Sequence, residues 1–166
     1  MNRLKNRDVH VLDASGILHS DIDYSKGAYI VTNSVLAEVL RDNARTAVDQ
    51  GIRNGAVKVS DPRPDSVKKA RAAAGETGDL LSLSAADLDV LALALERKGV
   101  IVSDDYAIQN VARRLGLQFS VAAQDGIKKE IVWEKKCPGC GRTQPQERRV
   151  CNVCGSKLKR VGRQTR

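Results

Sequence analysis

The sequence predicts an α/β fold: a parallel sheet flanked by helices, with a small module of a different kind at the C-terminus. Three observations carry this. Short β-branched runs alternate with amphipathic helical patterns up to about residue 126, the order that builds parallel sheets from βαβ units. The apolar content is 42 % but only 3 % of residues are aromatic, so the core is Val, Leu, Ile and Ala, as suits a sheet covered on both faces. All four cysteines fall between Cys137 and Cys154, where that alternation has stopped. At 166 residues the chain holds one ordinary domain, 1–126, plus a small module, 127–166.

The stretch from Leu81 to Tyr106 organises the first part. Ser84 caps a helix whose Leu88, Leu91 and Leu95 share one face, and Ser84 with Asp87 forms a capping box. Lys98-Gly99 is a helix stop, with the glycine free to take positive φ. Val100-Ile101-Val102 reads as a buried central strand, and Ser103-Asp104-Asp105 follows at once. Asp104 or Asp105 also suits the N-cap of a helix carrying Ile108, Val111 and Leu115.

In chain order, Val9-His10-Val11-Leu12 is a strand ending at Asp13, with His10 read as a core residue and His19 as no better supported for a site. Ala28–Val31 is a second strand, and Thr32, Asn33 and Ser34 offer three caps for a helix bearing Val35, Leu36, Val39 and Leu40. Glu38 lies one turn into that helix, where its bland reading is an ion pair with Arg41 or Arg45. Val57-Lys58-Val59 is a weak third strand. Asp65 is expected to cap a basic helix carrying Lys68, Lys69 and Arg71, and residues 75–79 to form a loop. Gly116 stops the next helix before a strand at Leu117–Val121, and Ile131-Val132-Trp133 is a strand leading into the cysteines.

No stretch is long and apolar enough to span a bilayer, and the first residues lack the pattern of a signal peptide. The expected compartment is the cytoplasm, where thiols stay reduced. The formal charge of +8 is unevenly placed: residues 126–166 carry twelve Lys and Arg against three Glu, while the rest of the chain is close to neutral. A basic block of this kind is the footprint of a polyanion, RNA or DNA before a membrane surface.

The cysteines form two C-x-x-C pairs, Cys137 with Cys140 and Cys151 with Cys154, ten residues apart. Each pair places two thiolates on one ion, and two pairs close a tetrahedral shell, which points to structural zinc without an open position for catalysis. Gly141 and Gly155 follow each second cysteine and allow the tight turn that aims amide N–H groups at sulfur. Disulfides do not suit a cytoplasmic chain, and a redox C-x-x-C is not expected in duplicate. Metal binding would stabilise a segment too short to fold on apolar burial.

Asp13, Glu38, Asp87 and Asp105 would converge if the strands ending at Asp13 and Asp105 are neighbours, because ligands bind at the carboxyl ends of parallel strands. Packed carboxylates repel, so the cluster suits Mg²⁺ or Mn²⁺. Taken singly, each acid is better explained by a structural role, capping or, for Glu38, an ion pair. The four stretches VHVLDAS, TNSVLAEV, SAADLDVLALAL and VIVSDDY together resemble the PIN-domain nucleases in order and approximate spacing. Joined to a four-cysteine ribbon, the pattern is similar to the NIN-one-binding (Nob) family, in the compact archaeal form without the eukaryotic insertion. The resemblance implies a PIN-like sheet and a divalent-metal endoribonuclease that matures the 3′ end of small-subunit ribosomal RNA within a pre-ribosomal particle. It implies Asp13, Glu38, Asp87 and Asp105 as ligands of Mg²⁺ or Mn²⁺, with Ser103 supporting them, and leaves Asp89 and Asp104 as ambiguous neighbours. No membrane or small-molecule substrate is expected. Rival readings are a toxin-like PIN ribonuclease, expected to resemble the first part alone, and a non-catalytic RNA-binding assembly factor. A phospho-accepting receiver domain would need a further Asp and Lys on later strands, which the cysteine module leaves no room for.

Overall fold

The computed structural model describes residues 8–19, 22–39, 43–121 and 125–164. Its main sheet contains β1 (Val9–Leu12), β2 (Ala28–Val31), β3 (Val57–Val59), β4 (Val100–Val102) and β5 (Phe119–Ser120). All neighbouring strands run parallel, in the order β3-β2-β1-β4-β5. The chain steps outward from β1 to β3 and then returns to place β4 on the other side of β1. The strand order therefore reverses between β1 and β4, which is where open α/β sheets leave a crevice at their carboxyl edge.

The helices are α1 (Ala14–His19), α2 (Asn33–Glu38), α3 (Asn43–Arg53), α4 (Pro64–Thr77), α5 (Ala85–Arg97) and α6 (Tyr106–Arg114). The α5 helix packs on α2, α4, α6, β1 and β4. That central position explains its apolar composition: Leu91 and Leu93 are fully buried, each worth about 1.5–3 kcal/mol of transfer free energy. Ser84 caps α5 and closes the reciprocal bond with Asp87.

Several local expectations change. Asp65 does not cap α4: Arg63 holds the N-cap position without a side-chain bond and Pro64 occupies the first turn, where a missing N–H costs nothing. Asp65 instead faces Lys68 at 3.4 Å. Residues 75–77 belong to α4, which ends at Gly78 with φ 75°. After α5 the left-handed residue is Lys98, φ 50°, and not Gly99. Gly99 serves close packing, since a Cβ there would lie 2.8 Å from the Val9 carbonyl oxygen. The last strand of the sheet shrinks to Phe119–Ser120. Arg45 bonds Asp49 at 3.0 Å and not Glu38, and Arg41 lies outside the described residues. His10 is buried beside Tyr29, ring centroids 5.2 Å apart.

A second, antiparallel sheet follows, with β6 (Ile131–Lys136), β7 (Thr143–Gln144) and β8 (Lys159–Gln164) in the order β7-β6-β8. It is fastened to the first by buried polar groups. The Asn110 side chain accepts from the Ile131 N–H at 2.7 Å and donates to the Ile131 carbonyl and to Asp79, both at 2.6 Å. The other oxygen of Asp79 takes Arg160 at 2.7 Å, and the Arg160 guanidinium lies 4.3 Å from the Trp133 ring centroid. Among the described residues, no helix is long and apolar enough to cross a membrane.

Candidate functional site

Leu12 of β1 lies opposite Val102 of β4, so Asp13 and Ser103 leave the sheet side by side. The Asp13 N–H donates to the Val102 carbonyl at 3.1 Å. One turn later Gly16 rests on that same carbonyl, where a Cβ would collide; only glycine lets α1 start so close to β4. The Asp13 carboxylate, 3 % exposed, accepts the Ser15 hydroxyl at 2.6 Å and the Ser103 hydroxyl at 2.8 Å on one oxygen. The Ser103 hydroxyl also accepts the Asp105 N–H at 3.1 Å. A single hydroxyl thus ties the ends of the two central strands together.

Asp105 is the N-cap of α6 and accepts the Ala107 N–H at 2.6 Å and the Ile108 N–H at 3.4 Å through one oxygen. Asp87, half-buried, accepts the Ser84 N–H at 2.7 Å. Burial raises the Asp87 carboxyl above the usual range against the lowering pull of the Ser84 amide, and the charges of Asp13 and Asp105 raise it further. Three acids from three elements therefore share one field. The capping and ligand readings are compatible here, because a cap fixes where a carboxylate sits at the sheet edge. Glu38 is exposed in the last turn of α2, a helix that packs on α5.

The ambiguous neighbours are engaged elsewhere. Asp89 accepts the Ser34 hydroxyl at 2.7 Å. Asp104 is buried and faces His19 Nδ1 at 3.4 Å.

In the second sheet the four sulfurs of Cys137, Cys140, Cys151 and Cys154 lie within 4.8 Å of one another. Two of the separations are 3.3 Å, Cys137 to Cys154, and 3.6 Å, Cys140 to Cys151. A tetrahedral thiolate shell with Zn–S near 2.3 Å needs sulfurs roughly 3.8 Å apart, so the donor set fits zinc. Both turns repeat one geometry: Gly141 and Gly155 take φ 74° and 71°. Amides of Cys140 and Val153 point at Cys137 and Cys151 sulfur, at 3.5 and 3.4 Å. The Ser156 hydroxyl beside Cys154 helps to pull that thiol down to about 6, while, against the pull of the Arg142 amide, burial and the neighbouring sulfurs push Cys140 up to about 11, an opposition that a shared cation would relieve. Among the described residues no carboxylate group is gathered as tightly as these sulfurs. The acid edge is wider, and its half-buried, proton-attracting Asp87 between two charges is what a cation would relieve.

Comparison with known proteins matches residues 10–96 to a family described as the PIN domain of ribonuclease, and residues 73–129 to PINc domain ribonuclease. Endoribonuclease Nob1 of Archaeoglobus fulgidus is 41 % identical over 159 residues, covering 93 % of this chain and 91 % of that protein. The chain belongs to the PIN-domain endoribonucleases. Endoribonuclease Nob1 of Methanocaldococcus jannaschii is 37 % identical over 155 residues, 92 % of this chain and 77 % of that one. Ribonuclease VapC1 of Thermoplasma acidophilum is also 37 % identical, over 152 residues, 92 % of this chain and 77 % of its own. That alignment is longer than residues 1–126, so resemblance to a VapC-named protein is not confined to the first part of this PIN-domain endoribonuclease.

Ser15 is the residue that sequence reasoning missed. It bonds Asp13, lies 3.2 Å from the Ser103 hydroxyl, and accepts the Asp104 N–H at 3.0 Å. Its signal was the hydroxyl two residues after Asp13, a spacing at which an Asp side chain bonds its own following turn.

Proposed function

We propose that this endoribonuclease cleaves precursor small-subunit ribosomal RNA to form its mature 3′ end, in the cytoplasm and on a pre-ribosomal particle. In this reading Asp13, Glu38, Asp87 and Asp105 hold Mg²⁺ or Mn²⁺, and the four cysteines hold zinc. Residues 1–126 form the nuclease part and 127–166 the ribbon. The observation that carries it is the seating of Asp13 and Asp105 at the β1–β4 switch point, on a chain similar to Nob1 endoribonucleases through its ribbon as well. When bound, the cation would supply Lewis-acid stabilisation of the phosphodiester and a water of lowered pKa. The chain's own residues set the geometry. Ser15 and Ser103 fix the rotamer of Asp13, and the cap of α5 holds Asp87 within the field of Asp13 and of Asp105, the cap of α6. The cations of residues 127–166 bind phosphates, with a salt slope of roughly −0.7 per contact for a single strand.

The test is Mn²⁺-dependent cleavage of an RNA spanning the precursor 3′ end, beside unrelated RNAs. We expect selective cleavage of the precursor, and loss of cleavage by orders of magnitude in Asp13→Asn with RNA binding kept. Wild-type rates in Asp13→Asn would remove that residue from the site. Equal cleavage of unrelated RNAs would favour the toxin-like reading, which the long VapC1 alignment keeps in play. Binding without cleavage would mean an assembly factor.

A further inference from the structure

The second sheet does more than carry sulfurs: it walls a cleft at the start of α6, the helix that Asp105 caps. This cavity, about 480 Å³, lies where β6 and β8 meet the start of α6. Its walls are mainly apolar, with Tyr106, Ile127, Ile131 and Trp133 as large side chains and Ser82, Asp79, Asn110 and Arg160 as polar points. Tyr106 is 50 % exposed and is the residue immediately after Asp105. Its hydroxyl donates to the Asp125 carbonyl at 3.2 Å, which holds the ring in place. Arg160 is fixed by Asp79, by the Gly78 carbonyl and by Ser82.

We infer that this cleft is a nucleobase subsite for single-stranded RNA, with Tyr106 as the stacking platform for a base next to the cleaved phosphate. This rests on the nuclease reading proposed above. A flat apolar body with a polar edge is what the cleft's walls and polar points accept, and proteins hold unpaired bases on exposed aromatic rings. Tyr106 is the first residue of α6, directly after its cap Asp105, which puts the cleft at the end of the helix that the acid edge holds. One cation of β8 lines the cleft, Arg160, whose guanidinium lies over the Trp133 ring and is paired with Asp79 at 2.7 Å.

The probe is a set of short single-stranded RNAs, each with 2-aminopurine at one position, bound to the full chain carrying Asp13→Asn so that binding is read without turnover. Quenching is expected at one position only. Tyr106→Phe should keep it, while Tyr106→Ala should abolish it and weaken binding about tenfold. Tyr106 is half-exposed, so neither variant should disturb folding. Quenching that is uniform along the RNA, or unchanged in Tyr106→Ala, would overturn the subsite alone. Absence of RNA binding by the folded protein would overturn both the subsite and the proposed function. Persistent cleavage by Asp13→Asn would count against the catalytic assignment, while the quenching pattern still decides the subsite.

Discussion

The acid edge and the cysteine centre are two candidate metal sites of the molecule, yet they depend on the fold in opposite senses. At the acid edge the scaffold comes first. Asp13 and Asp105 are placed by two adjacent strands buried in a core of Val, Leu, Ile and Ala, and their neighbours are hydroxyls and helix N-termini. In the ribbon the ligands come first. Among the described residues its buried apolar cluster consists of Cys137, Cys151 and Leu158, so two of the three belong to the sulfur group that could hold the metal. A site that the fold supports tolerates loss of its metal; a fold that the site supports does not.

Stripping zinc should therefore have the largest effect. Structural zinc contributes on the order of 10–16 kcal/mol to small thiolate modules near neutral pH, and nothing in the ribbon's core replaces that. Cys151→Ser, or chelation of the reduced protein, should unfold residues 131–164 while the parallel sheet stays folded, its own transition lowered only by the loss of Arg160 and Ile131 from Asp79 and Asn110. Elemental analysis should find one zinc per chain, and far-UV and near-UV spectra with and without chelator would follow the loss. A ribbon that stays folded without metal would erase the contrast.

A smaller effect tests how the two regions are joined. Asp79 is 2 % exposed in its side chain and holds both Arg160 and Asn110. Breaking a buried pair costs about 3–5 kcal/mol. Here Arg160 is 34 % exposed, so Asp79→Ala should cost less, about 2 kcal/mol. Zinc content should be unchanged, since no ligand is touched. Calorimetry should show a lower transition for the parallel sheet. An unchanged melting profile would mean that the two sheets merely touch.

How much of this was legible in the sequence follows the same division. The cysteine centre was readable outright, because C-x-x-C-G spacing specifies local geometry and Gly141 and Gly155 take the expected left-handed turns. The parallel strands were readable because a buried run such as Val100-Ile101-Val102 has few alternatives. What could not be read was long-range. The neighbour relation of β1 and β4 is a matter of topology, and Ser15 gains its role only when Ser103 arrives from 88 residues away. Asn110 and Asp79 look like ordinary polar residues until β6 packs on them. The errors at Asp65 and Lys98 were competitions between caps: Pro64 makes a side-chain cap unnecessary, and Lys98 accepts a strained φ because Gly99 is needed against Val9.

The smallest effect bears most directly on what the acids are for. Burial, with the charges of Asp13 and Asp105, holds the Asp87 carboxyl above its ordinary value. A carboxyl raised in the folded state is protonated more readily there than in the unfolded chain. Its contribution to stability is complete below the unfolded value, near 3.9, and is lost as pH rises through the folded value. At neutral pH without metal, ionised Asp87 is therefore a cost. Asp87→Asn removes the charge and keeps an oxygen to accept the Ser84 N–H, so the metal-free variant should melt slightly higher than wild type at pH 7. Below pH 4, where the wild-type group carries its proton, the gain should vanish. Adding Mn²⁺ should reverse the order, because a cation that binds only the folded wild-type site stabilises it by mass action. A carboxylate kept for capping alone predicts otherwise: the variant would lose up to about 1 kcal/mol at pH 7, as weakened caps do, and Mn²⁺ would raise both melting curves equally or neither. Melting curves at the two pH values, each with and without Mn²⁺, separate these outcomes without any cleavage assay.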